Sequence, residues 1–122
     1  MSENKYKTER IIDIQKTAIE KGIEEWKLKT MLAWLMQENG SFSENTRGDY
    51  GHSVGLCMCH TKYRKCVFTY DEQKEQCLNW FKVYTAFSTK HSIYKDIKTG
   101  HNPRAGVWYD NGIKKKENLF IN

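Results

Sequence analysis

The sequence predicts an α+β fold dominated by α, and three observations predict it. Apolar residues recur at helical spacing in several stretches, one stretch is apolar nearly all round, and one polar, glycine-punctuated segment near 40–55 breaks the helical pattern. Ile11, Ile12, Ile14, Ala18 and Ile19 set a first helix over Thr8 to Lys21, and Gly22 supplies its stop. A second helix runs from about Glu24 to Glu38. Its Leu28, Met31, Leu32, Ala33, Trp34, Leu35 and Met36 leave no wide wet face, so it is expected at the centre of the fold. Asn39-Gly40 ends it. Ser41 to Ser53 reads as a loop that can hold a short hairpin, and Val54 to Cys59 as a strand-like apolar stretch.

Asp71 is the candidate N-cap of a third helix reaching about Phe87, with Cys77, Leu78, Phe81, Tyr84 and Thr85 as its inward stripe. His91 to Lys98 forms a short helix ended by Gly100. Pro103 suits the first turn of a last helix that carries Ala105, Val107, Trp108 and Tyr109 and ends near Asn111-Gly112. With 122 residues, one proline and no linker or repeat, the chain is expected to form one domain over residues 1–122, a helical core with a small β or loop element.

Twenty Lys and Arg against fifteen Asp and Glu give a net charge of +5, which favours an anionic partner. Lys114, Lys115 and Lys116 supply much of the local excess. No helix combines a basic stripe with interleaved aromatics, so nucleic acid is not the expected partner. Met1-Ser2-Glu3-Asn4-Lys5 has no apolar signal region, and no stretch approaches the length of a membrane span. A monomer made without a signal of its own, and delivered to its substrate by another route, is the expectation.

Cys57, Cys59, Cys66 and Cys77 leave three readings open: reduced core cysteines, one or two disulfides with Cys66–Cys77 favoured, or a metal site using Cys57, Cys59 and His60. Structural zinc pairs usually have two to four residues between cysteines and Cys57-x-Cys59 has one, so neither metal nor cofactor is expected.

Glu38 is the candidate for chemistry. A carboxyl group against apolar walls at the end of a rigid helix is disfavoured as an anion, and such groups serve as general acids. Glycosidic cleavage needs such an acid, and an inverting enzyme also needs a second carboxylate holding water on the far face of the sugar. Asp49, eleven residues on across a loop, can face Glu38 over a cleft. Aromatic faces can stack on sugar rings; Tyr50 and Tyr109 are the cleft candidates, whereas Trp34 and Trp80 belong to helices and are expected in the core.

Glu38 followed by Gly48-Asp49-Tyr50-Gly51-His52-Ser53-Val54-Gly55-Leu56-Cys57-Met58-Cys59-His60 resembles the lysozyme-like superfamily, specifically goose-type lysozymes and soluble lytic transglycosylases. In those families a catalytic Glu closes a helix and a G-D-x-G-x-x-x-G-L-M-Q-x-D segment follows. A Y-N-x-G-like motif comes later, where this chain has Tyr109-Asp110-Asn111-Gly112. The resemblance spans roughly residues 8–112. It implies cleavage of the β-1,4 bond between N-acetylmuramic acid and N-acetylglucosamine in peptidoglycan, as in a phage endolysin or virion-associated protein. Glu38 and Asp49 would be catalytic, with Tyr50, Gly55, Leu56, His60, Tyr109 and Asn111 binding substrate. The departures are Cys57 and Met58 for the motif's Met-Gln, His60 for its second acid, Asp110 for its Asn, and Asn39 for the Ser that follows the Glu in transglycosylases. They leave a lytic transglycosylase or a catalytically silent glycan-binding module as the alternatives.

Overall fold

Seven apolar or small side chains of α2 (Leu28–Glu38) are buried over its first eight positions, so the helix cannot sit at a surface. The other helices wrap it, in a computed structural model that describes residues 3–120. Chain order is α1 (Glu3–Glu20), α2, a three-stranded antiparallel sheet, α3 (Tyr70–Tyr84), α4 (Ile93–His101) and α5 (Val107–Glu117). The fold is predominantly helical α+β, as the sequence predicts. No described helix is long and apolar enough to cross a membrane.

Gly22 (φ 83°) closes α1 by placing its N–H on the Ile19 carbonyl and the Ile23 N–H on the Ala18 carbonyl, the paired bonds of a Schellman cap. α3 starts earlier than predicted. Thr69, not Asp71, is its N-cap: the Thr69 hydroxyl accepts from the Glu72 N–H at 3.2 Å and donates to the Glu72 carboxylate at 2.8 Å. This T-x-x-E pairing satisfies an orphan donor of the first turn and leaves Asp71 inside it. The helix ends at Tyr84 rather than near Phe87, because the buried Lys27 ammonium donates to the Thr85 carbonyl at 2.8 Å and closes the chain end there.

α4 runs one residue past Gly100, which carries His101 into the interior. α5 passes through the predicted stop at Asn111-Gly112 and continues to Glu117, with Ile113 and Glu117 both buried on the next turns. A Cβ at Gly112 would lie 2.5 Å from the Gln37 side chain, so this glycine is where α5 approaches α2. The core joins α2 to the other helices through Ile14, Trp34, Leu78, Phe81, Ile97 and Ile113.

The sheet is minimal. β1 (Arg47–Gly48) pairs with β2 (Ser53–Val54), and β2 pairs with β3 (Cys59–His60), in the register Val54 to Arg47 and to Cys59. Only the two ends of the predicted 54–59 stretch are strand; Gly55 to Met58 turns the chain between them. So small a sheet cannot hold itself together, and neighbours clamp it. Arg10 of α1 donates to the Phe42 carbonyl and pairs with Glu44 at 3.0 Å, which holds the Glu44 carboxyl below the usual glutamate range. Gln73, buried in α3, accepts from the Leu56 N–H and donates to the Glu44 and Val67 carbonyls.

All four cysteines are in disulfides, Cys57–Cys77 and Cys59–Cys66, which overturns both the Cys66–Cys77 pairing and the reading of reduced thiols. Cys77 faces the core on α3, and Cys57 in the β2–β3 turn is the cysteine that reaches it. Cys66 lies outside that core and closes a short loop back to Cys59 instead. No metal-binding cluster of His, Cys, Asp and Glu occurs among the described residues.

The Cys57–Cys77 bond spans 20 residues, so the double variant Cys57→Ala/Cys77→Ala should lose roughly 2–4 kcal/mol of stability. Urea unfolding with and without reductant checks this. Unchanged stability in reductant would show that the clamps at Arg10 and Gln73 suffice without the bridge.

Candidate active site around Glu38

Trp34 and Glu38 are four residues apart on α2 and therefore share one helix face. Tyr109 of α5 fits between them. The Trp34 indole N–H donates to Tyr109 Oη at 3.0 Å, and the Tyr109 hydroxyl donates to Glu38 Oε2 at 2.6 Å. Trp34 is fully buried and Tyr109 is 1% exposed, so the bond between them lies in a dry environment where it is strong, while the bond to Glu38 is part-buried. Burial, and then the neighbouring Glu38 carboxylate, push the Tyr109 phenol far above the ordinary tyrosine range, which keeps it a hydrogen donor.

The second carboxylate oxygen is treated differently. His101 Nε2 stands 3.5 Å from Glu38 Oε1, beyond a good hydrogen bond, and lies 2.6 Å from the Cys57 carbonyl. His101 Nδ1 meets Tyr84 Oη at 3.0 Å, and Arg64 donates to the same oxygen at 2.6 Å. The network is satisfied in full when His101 carries its hydrogen on Nε2: Arg64 donates to Tyr84, Tyr84 donates to Nδ1, and Nε2 donates to Cys57. Arg64 also donates to the Gly100 and His101 carbonyls, so it fixes the end of α4 and the ring beyond it. Glu38 Oε1 is thus left without a hydrogen bond and in contact with solvent, in a side chain only 10% exposed.

Behind Glu38 the chain turns sharply on Asn39. Its buried side chain donates to the Ser43 and Gly55 carbonyls at 2.8 and 3.0 Å and accepts from the Ser41 N–H and hydroxyl. These bonds tie the sheet to the end of α2 and set the position of the strands relative to Glu38.

Of the residues singled out in the sequence, Glu38 and Tyr109 are brought into contact. Asp49 is exposed in the turn between β1 and β2, where Oδ2 accepts from the Ser53 hydroxyl at 2.7 Å. Asp49 and Tyr50 both hold left-handed backbone (φ 49° and 56°), a conformation costly for such residues and concentrated at functional turns. Tyr50 is fully exposed and makes no ring contact among the described residues. Gly55 is buried and offers its carbonyl to Asn39, and the Leu56 side chain is in the core at 1% exposure. His60 stacks between His52 and Tyr63. With His101, Arg64 and Asn102 it lines an open cavity of about 450 Å³, which Glu38 itself does not line and meets only through His101. Asn111 is exposed two positions past Tyr109, on the opposite side of α5.

His101, Arg64 and Gln73 carry no signal of a role in the sequence: His101 lies past the predicted end of its helix, and the contacts of all three are mainly with residues distant in the chain. Comparison with family models, with curated proteins and with solved structures found no match.

Tyr109→Phe removes both the donor to Glu38 and the acceptor of the Trp34 N–H. Leaving that buried donor unpaired should cost about 1–3 kcal/mol in urea unfolding, with the Trp34 environment altered in near-ultraviolet circular dichroism. A variant as stable as the parent would mean that the indole finds another acceptor and that the chain does not hold the site.

Proposed function

We propose that this chain is a muramidase, cutting the β-1,4 bond between N-acetylmuramic acid and N-acetylglucosamine in peptidoglycan with Glu38 as general acid. One observation carries the reading. Glu38 stands at the end of a buried helix with one oxygen tied to Tyr109, while the other makes no hydrogen bond among the described residues and faces the His101 ring at 3.5 Å. A carboxyl group so held has a single atom, Oε1, from which a proton can be delivered, and it is aimed before substrate arrives. The open cavity lined by His101, the neighbour of Glu38, has aromatic and cationic walls, and the chain's net charge of +5 complements an anionic wall polymer.

In the hydrolytic reaction Oε1–H protonates the glycosidic oxygen as its bond to C1 breaks, and water adds to C1. In this reading Asp49, whose Oδ2 accepts from the Ser53 hydroxyl, is the carboxylate that orients that water and takes its proton. Tyr109 and Trp34 fix the acid in place, and Tyr109 stabilises the carboxylate formed when the proton leaves.

The second reading is lytic transglycosylation, in which the substrate's own C6 hydroxyl attacks C1 and a 1,6-anhydro ring forms without water. His60 favours it, because it stands where the goose-type pattern has a second acid and is packed between two rings rather than free to bind water. A glycan-binding module without turnover is the third.

Glu38→Gln keeps the shape and the acceptor for Tyr109 but holds no acidic proton. Release of soluble fragments from purified peptidoglycan should fall by roughly 10²–10⁴-fold, with the circular dichroism spectrum unchanged. Retention of more than a tenth of the parent rate contradicts Glu38 as the acid.

A further inference from the structure

A cavity of about 620 Å³ lies apart from the one that His60 and His101 line. It opens at the other end of α2, where Thr30 stands eight residues before Glu38, about 12 Å along the helix axis. Its buried end is a carboxylate. Glu117, 7% exposed, accepts from the Thr30 hydroxyl at 2.5 Å on Oε2 and from the Tyr94 hydroxyl at 2.6 Å on Oε1. Among the described residues no Lys, Arg or His pairs with it, and each oxygen keeps a lone pair beyond the bond it accepts. A carboxylate buried with hydrogen bonds but no counter-charge is costly, and a cation entering the cavity would relieve that cost.

The exposed part of the lining is net positive, with two lysines against one glutamate. Lys29 and Lys90 are exposed on the lining and form no ion pair among the described residues, while Trp26 and the buried Ile93 supply apolar wall between the two ends. Glu25, exposed at the mouth, is the one further acid in the lining. The cavity therefore combines a buried negative group, an aromatic and aliphatic wall and an exposed lining with a net positive charge.

The geometry points to a binding site for a short peptide with free termini, its ammonium group on Glu117, its carboxylate on Lys29 and Lys90, and its small side chains against Trp26 and Ile93. The volume falls within the range of small-ligand sites, and the charge arrangement selects against ligands with only one of the two ends. The site is separate from Glu38 and does not rest on the muramidase reading.

The test uses trialanine against the full chain, followed by nuclear magnetic resonance shifts of the Trp26 indole and Ile93 methyl signals. Trialanine should saturate both. N-acetyl-trialanine and trialanine amide should each bind about tenfold or more weakly, the scale of one lost charge-assisted bond. Glu117→Gln should reproduce the loss caused by acetylation. Lys29→Ala/Lys90→Ala, a change confined to exposed side chains, should weaken trialanine and leave trialanine amide unaffected. No shift with trialanine at millimolar concentration, or equal affinity for all three peptides, overturns the assignment. So does a Lys29→Ala/Lys90→Ala variant that binds trialanine as the parent does.

Discussion

The chain of two hydrogen bonds from Trp34 through Tyr109 to Glu38 is the constraint on which the rest of the structure depends. An indole and a phenol buried this deeply must have their polar atoms paired. Each can be paired here only if α5 lies close enough to α2 for Tyr109 to reach both partners. The close approach at Gly112, and the continuation of α5 through Ile113, hold that spacing. The carboxylate at the end of the chain is then fixed by the same bonds that satisfy the core. Structure and site share one network, which is why Glu38 has a preferred orientation without any ligand present.

A second layer of polar side chains positions everything around that carboxylate. Asn39 ties the sheet to the end of α2, Gln73 ties it to α3, and Arg64 fixes Tyr84 and the end of α4. The Cys57–Cys77 bridge belongs to this layer as well, because the Cys57 carbonyl receives the His101 ring that stands beside Glu38. Six strand residues could not hold such positions themselves. Buried amides and a disulfide supply the rigidity that a larger sheet would otherwise provide.

The parts of the fold legible in the sequence are those written in local pattern. The helical spacing of Ile11 to Ile19, the apolar run of α2 and the turn-rich 41–53 segment gave the helices, their order and the site of the small sheet. What local pattern cannot carry was misread or unseen. Asp71 and Thr69 are both good caps, and the reciprocal bond with Glu72 decides between them. Gly112 looks like a stop until Gln37 is seen packed over it. The disulfide partners follow from which cysteine faces α3, and that depends on the turn at 55–58. In the site, Glu38 at a helix end was legible. His101, Arg64 and Gln73 were not, because their meaning lies mainly in contacts with residues distant in the chain.

A carboxyl group with one oxygen anchored and one open suits proton delivery to a glycosidic oxygen, and the central claim is that Glu38 does this on peptidoglycan. Mass spectrometry of the soluble fragments released from purified peptidoglycan tests it most directly. The account predicts disaccharide–peptide fragments with reducing muramic acid ends, one water added for each bond cut. Glycan strands left at full length after prolonged incubation would contradict it.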